Sequence, residues 1–284
     1  MNHMAEKTTI YLPDNSIRKG YIALFREMLE ELTSSRWLTW QLFKRDFSAL
    51  YKQSLLGVFW ALFVPLISVG TFIYLNRAGI FDIGDISVPY PLFAVAGMAF
   101  WQLFATGLIA STNSLVNAGA MLTKINFTRE ALVISATGQA IVSFLIQIAV
   151  VFVLFLWYQI MPSWTVVLVP FAMLPLFLLT LGLGFIFSVI NGVLRDVGNM
   201  ISVSITFLLF LTPVLYAKPE TGIAAVVNQY NPLYYLISVS RDLLILGGTT
   251  ELYGYMWSAI LAIVVFFVCW TAFHLTETRI TERI

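Results

Sequence analysis

Charge is missing from most of this 284-residue chain. Six stretches, 55–76, 90–116, 131–159, 164–190, 199–217 and 252–274, contain no Asp, Glu, Lys or Arg. A helix needs roughly 20 apolar residues to cross a hydrocarbon core of ~30 Å, and each stretch is about that long or longer. An ionisable residue inside a membrane helix is the usual mark of ion or proton coupling, so its absence argues against a carrier driven by an ion gradient. Cysteine is nearly absent too. Cys269 stands alone inside the last stretch, cannot form an intrachain disulfide and reads as a packing residue. Histidine occurs twice, at His3 and His274, and neither has Cys, Asp or Glu at ligand spacing, so no metal site is expected and His274 reads as an isolated interfacial residue. No Gly-Lys pair occurs, which removes the phosphate-loop signature, and GxSxG and HExxH motifs are also lacking. The net charge of +1 gives no basis for a nucleic-acid partner.

What is present is an apolar, aromatic-rich chain, 59% hydrophobic and 15% aromatic. The expected fold is an all-α polytopic membrane protein with six transmembrane helices. Residues 1–20 are polar and include Pro13, Asp14 and Asn15, so no cleavable signal peptide is expected. With the N-terminus inside, 13 of the 16 Lys and Arg residues fall on the cytoplasmic side, and only Arg77, Lys218 and Arg241 fall outside. That asymmetry follows the positive-inside rule and puts both termini in the cytoplasm. The expected organisation is a cytoplasmic segment 1–54, a transmembrane unit 55–275 and a tail 276–284.

Two amphipathic helices precede the first span. Tyr21, Leu24, Phe25, Met28, Leu29 and Leu32 share one helical face, and Arg26, Glu27, Glu30 and Glu31 share the other. Thr33-Ser34-Ser35 interrupts, with Ser34 or Ser35 as a candidate cap for the next helix. That helix carries Trp37, Trp40, Phe43, Phe47 and Tyr51 with Lys44, Arg45 and Lys52. Aromatics with cations suit a membrane interface, and the plainer reading is a simple anchor. Pro65 is expected to kink the first span. Residues 117–130 form a compact cytoplasmic connection with room for one or two helical turns. Region 218–251 is apolar in two pieces split by Asn231-Pro232, each too short to cross. Two helices at about 219–246 that enter the outer leaflet and return are expected there; a seventh span would carry the Arg241-Asp242 pair into the membrane and reverse the tail. That pair, like Arg195-Asp196, reads as a local ion pair or a loop solubiliser.

Aromatic side chains are the remaining candidates for chemistry. Phe59, Trp60, Phe63, Phe72 and Tyr74 lie in the first span, Phe207, Phe210 and Tyr216 in the fifth, and Tyr230, Tyr234 and Tyr235 in the re-entrant region. Aromatic faces stack on sugar rings without a hydrogen-bond code, which suits a sliding glycan. Ordinary lipid-facing aromatics give the same pattern.

The run Arg45-Asp46-Phe47, Tyr51-Lys52-Gln53-Ser54-Leu55-Leu56-Gly57-Val58-Phe59-Trp60 and Pro65 resembles the opening signature of type 2 ABC exporter permeases, specifically those exporting O-antigen, capsular polysaccharide and teichoic acid. Asn231-Pro232-Leu233 followed by Arg241 is a second, less specific match. The resemblance covers most of residues 20–280. It implies a homodimeric channel in the bacterial inner membrane, with two separate ATPase subunits beneath that supply ATP and Mg; this chain would be no enzyme and would bind no cofactor. It implies that Lys124, Ile125, Asn126, Phe127, Thr128, Arg129 and Glu130 couple to the ATPase. It further implies a gate at the interfacial helix and the Leu56-Gly57 turn, with Lys44, Arg45, Tyr51 and Lys52 near the diphosphate of an undecaprenyl-diphosphate-linked polysaccharide. Phe59, Trp60, Phe63, Phe207, Phe210, Tyr216, Tyr230 and Tyr234 would line the path. Two other readings stay open: a type 2 permease for another substrate (teichoic acid, capsule, a drug or a small lipid), and an intramembrane enzyme acting on a lipid-linked precursor, which lacks an acid–base site.

Overall fold

The computed structural model describes residues 21–52, 59–80, 83–124 and 128–280, and these residues are mostly helical, with no strand among them. The long helices are α3 (Phe59–Arg77), α4 (Tyr90–Lys124), α5 (Glu130–Trp157), α7 (Leu174–Val193), α8 (Val197–Leu211) and α11 (Leu252–Ile280). Two helices lead in, α1 (Tyr21–Ser34) and α2 (Arg36–Lys52). A 3-10 turn (Trp164–Leu168) and the one-turn α6 (Val169–Ala172) precede α7, and the short α9 (Gly222–Gln229) and α10 (Pro232–Ile245) precede α11. Among the described residues four helical segments are long and apolar enough to cross a membrane: Tyr90–Gly119, Glu130–Trp157, Trp164–Val193 and Leu252–Thr276. The chain is a multi-pass membrane protein.

α4 is the central helix. Every residue from Leu92 to Trp101 is buried, and successive residues turn about the axis, so neighbours enclose it on all sides. It packs on α5, α7 and α10, and α7 packs in turn on α11. Small residues set the closeness of these contacts. A Cβ on Gly182 of α7 would stand 2.7 Å from the Phe266 Cα of α11, and one on Gly184 would run into the Ser111 side chain of α4. Lipid offers no hydrophobic drive between helices, so such close backbone approach is what holds them together.

Several boundaries differ from the sequence reading. The fourth apolar stretch is broken into three pieces because Pro170 and Pro175 each remove an amide donor. The fifth helix has only 15 residues, about 22 Å, and stops where Thr212 turns extended before Pro213. Residues 212–217 then run without helix, Val214 and Leu215 buried, and the Ala217 amide donates to the Ile83 carbonyl at 2.9 Å. Helix α3 continues unbroken through Pro65. The non-helical break falls instead at Gly119 of α4, where φ is +29°. Beyond it one more helical turn reaches Lys124, as expected of the connection.

The Ser35 hydroxyl does not cap α2. It donates back to the Glu31 carbonyl at 2.6 Å, and the Ser35 amide also donates to Glu31, so α1 runs into α2 almost without interruption. The apolar face of α1 is narrower than expected. Leu24 and Met28 are buried and Leu29 is exposed. The buried face lies against protein: Leu24 and Met28 join Ala131, Leu132, Trp270 and Phe273 in one cluster.

Candidate functional site

The end of the bundle that carries α1, α2 and the α4–α5 connection is the basic end. There α2 lies across α5, with Leu42 buried and the Phe43 ring where a Cβ on Gly138 would meet it at 3.3 Å. The outward side of α2 stacks aromatics. Trp40 lies on Phe43 at 5.4 Å and Phe43 on Phe47 at 6.0 Å, and Trp37 and Trp40 are exposed. Lys44 holds its ammonium 5.2 Å from the Trp40 ring centre, and Arg45 pairs with Asp46 at 2.7 Å. The helix therefore presents aromatic faces and two partly exposed cations together, an arrangement suited to a phosphorylated headgroup at an interface. Tyr51, Lys52, Phe59 and Trp60 lie on helices α2 and α3, and Leu56 and Gly57 lie outside the described residues.

The α4–α5 connection divides into two parts. Lys124 ends α4, and Ile125, Asn126 and Phe127 lie outside the described residues. Arg129 and Glu130 are buried, so these two sit inside the bundle end instead of projecting from it. Glu130 opens α5 with no exposed surface. Its Oε1 accepts from Trp270 Nε1 at 3.0 Å and lies 3.2 Å from His274 Nδ1. Glu31 of α1 approaches the same imidazole at 3.7 Å. Sequence spacing could not reveal these two acidic neighbours of His274, because they come from α1 and α5, more than 140 positions away. The reading of His274 as isolated is corrected by this contact. The polar faces of α1 and the α5 start needed only the knowledge that all three elements lie at one end. Arg195 and Asp196, in the other turn at this end, are exposed, and that turn is fastened by Asn191, whose Oδ1 accepts from the Gly198 amide at 2.8 Å and whose Nδ2 donates to the Thr112 carbonyl at 3.1 Å.

The aromatic set is only partly gathered. Phe72 of α3 stacks on Phe210 of α8 at 6.3 Å, and the Tyr216 hydroxyl donates to the Phe210 carbonyl at 2.7 Å. That ring contact links the first and fifth apolar helices at one point. Phe63, Tyr74, Phe207 and Phe210 stand exposed along these two helices. Tyr230 is exposed at the opposite end, whereas Tyr234 is buried and does not form an open wall. Its hydroxyl lies 3.3 Å from Glu251 Oε1, which accepts from Lys218 Nζ at 2.6 Å, and the ammonium sits 5.0 Å from the Tyr234 ring centre.

The Asn231-Pro232 motif has a clear structural meaning. Pro232 begins α10, where its missing amide costs nothing, and the Asn231 side chain accepts from the Leu233 amide at 3.0 Å while donating to Thr212 Oγ1 at 2.9 Å. One residue thus caps α10 and ties it to the end of α8. Arg241, nine residues on, is buried with its guanidinium 3.9 Å from the Phe93 ring centre and paired with Asp242 at 3.0 Å.

A bundle of apolar helices, two leading helices and a short helix pair before the last long helix make up a multi-pass membrane domain. The family model for ABC-2 type transporters matches residues 38–245, from α2 through α10, and the chain belongs to that family. Similar proteins include the O-antigen export system permease protein RfbA of Myxococcus xanthus, 28% identical over 190 residues, covering 66% of this chain and 72% of the relative. Two proteins of the same name from Klebsiella pneumoniae are 28% and 27% identical over 208 and 211 residues, each match covering 72% of this chain and 78% of the relative.

Proposed function

We propose that this chain is the membrane subunit of an ATP-driven exporter that moves an O-antigen-like polysaccharide, linked to a polyprenyl diphosphate, from the cytoplasmic to the outer face of a bacterial inner membrane. One observation carries the reading: the family match spans α2 to α10, and relatives aligned over about three quarters of their length share the name O-antigen export permease. The energetic argument points the same way. The apolar stretches hold no charge and the chain has no Gly-Lys pair, so the driving free energy must enter through another chain.

In this reading six helices cross the membrane, with the basic end in the cytoplasm and α9 and α10 dipping into the outer leaflet. Two copies form the channel and two ATPase subunits bind beneath them, contacting the 124–128 segment; ATP and Mg belong to those subunits. The lipid-linked glycan meets α2 first, its diphosphate facing Lys44, Arg45 and Lys52. It then passes the aromatic strip of α3 and α8. Deleting the gene tests the proposal. Lipid-linked glycan should accumulate inside the cell and surface glycan should vanish, both reversed by complementation. Unchanged surface glycan would defeat it.

A further inference from the structure

We propose that Glu31, Glu130 and His274 form a binding site for a divalent transition-metal ion of the zinc class, joining α1, α5 and α11 at the basic end of the bundle. The three side chains come from helices far apart in sequence, yet one ligand atom of each lies within 4.8 Å of the others. His274 Nδ1 stands 3.2 Å from Glu130 Oε1 and 3.7 Å from Glu31 Oε2. Zinc bonds of about 2.0–2.2 Å in a tetrahedron put neighbouring ligand atoms roughly 3.3–3.6 Å apart. The two edges that meet at His274 thus already stand at about the lengths of such a site, and the two carboxylates lie within 4.8 Å of each other.

Glu130 supplies an independent observation. It is wholly buried, and while Oε1 has Trp270 and His274, Oε2 is buried with no hydrogen-bond partner. A buried carboxylate oxygen left without a partner is costly, and a cation in the cluster would relieve that cost. The Trp270 indole donating to Oε1 is the kind of outer contact that orients a ligating carboxylate. The mixed nitrogen and oxygen set suits zinc over magnesium or calcium, which take oxygen donors. Glu31 keeps a quarter of its side chain exposed, which gives an ion access and leaves room for a water as fourth ligand. An occupied site would fasten α1, and through Ser35 the α2 helix, to the first turn of α5 beside the 124–130 connection.

The test uses full-length protein with any affinity tag removed and His3→Ala as background, stripped by chelator and titrated with Zn²⁺ and with Co²⁺. The expected result is one ion per chain, a tetrahedral Co²⁺ absorption band and a higher melting temperature with zinc. Glu31→Gln and His274→Gln should each weaken binding at least tenfold, and Trp270→Phe, which keeps all three ligands, should weaken it by roughly tenfold. Glu31→Gln protein that melts normally without metal yet gains nothing from zinc would exclude a folding defect as the cause. No stoichiometric binding, or binding equal in parent, Glu31→Gln and His274→Gln, would overturn the proposal. So would metal-independent melting whose pH dependence disappears in His274→Gln, because the cluster would then be a proton-bridged contact.

Discussion

Replacing Arg45 with Gln separates a lipid anchor from a diphosphate site, because the structure makes the two expectations differ in size. Arg45 pairs with Asp46 at 2.7 Å, and its side chain is half exposed. A surface pair of that kind contributes about 0–1 kcal/mol, so its loss should leave folding and membrane level close to the parent. The aromatic stack of Trp40, Phe43 and Phe47 is untouched and continues to hold α2 at the interface. A hydrogen bond to a charged phosphate oxygen is worth about 1.5–3 kcal/mol, equivalent to about 10- to 100-fold in affinity. The assay is ATP hydrolysis by the permease–ATPase complex in lipid nanodiscs as lipid-linked glycan is titrated in. The half-maximal glycan concentration should rise at least tenfold, with basal hydrolysis and melting temperature nearly unchanged. A half-maximal concentration within twofold of the parent would refute the diphosphate contact and return Arg45 to the anchor. A fall in protein level matching the fall in activity would give Arg45 a structural role instead.

Other expectations follow from single contacts. Gly182→Ala must push α7 and α11 apart by about 1 Å to restore an ordinary carbon contact with Phe266, at about 1–3 kcal/mol, and should lower the melting temperature in detergent. Phe127→Ala should weaken co-purification of the ATPase or uncouple its hydrolysis from export, while Arg129→Ala should lower protein stability as well, since Arg129 is buried. Burial raises the Glu31 carboxyl above 4.5, so the folded chain holds that proton more tightly than the unfolded one; this group favours folding as pH falls through its raised value and costs stability above it. Glu31→Gln should therefore melt no lower than the parent at neutral pH in chelator, with a flatter profile on the acid side. The purified chain alone should hydrolyse no ATP, checked by a phosphate-release assay on contaminant-free protein.

The helical membrane architecture was legible in the sequence because exclusion of charge from a hydrocarbon slab acts over whole stretches. So were the two helices around Asn231-Pro232, since a proline in the first turn and a side-chain cap are local signals. Breaks set by pairs of prolines were less visible. Pro170 and Pro175 divide an uncharged run, and Pro213 shortens the helix before it by several residues. Pro65 lies within a continuous helix, and the non-helical backbone at Gly119 of α4 had no signal in the sequence. The Glu31–Glu130–His274 cluster was illegible because no spacing rule links residues on three helices. The contacts of Tyr234 with Lys218 and Glu251 were illegible for the same reason, since they form only in three dimensions.

The most direct measurement of the export claim is transport in proteoliposomes containing the chain with its ATPase partner. Lipid-linked glycan supplied on the ATPase side should become accessible to a glycosidase in the opposite compartment, only with ATP and Mg, and not with an ATPase that binds but cannot hydrolyse ATP. Movement of glycan at the same rate without ATP, or none with a hydrolysing and correctly assembled complex, would contradict the account.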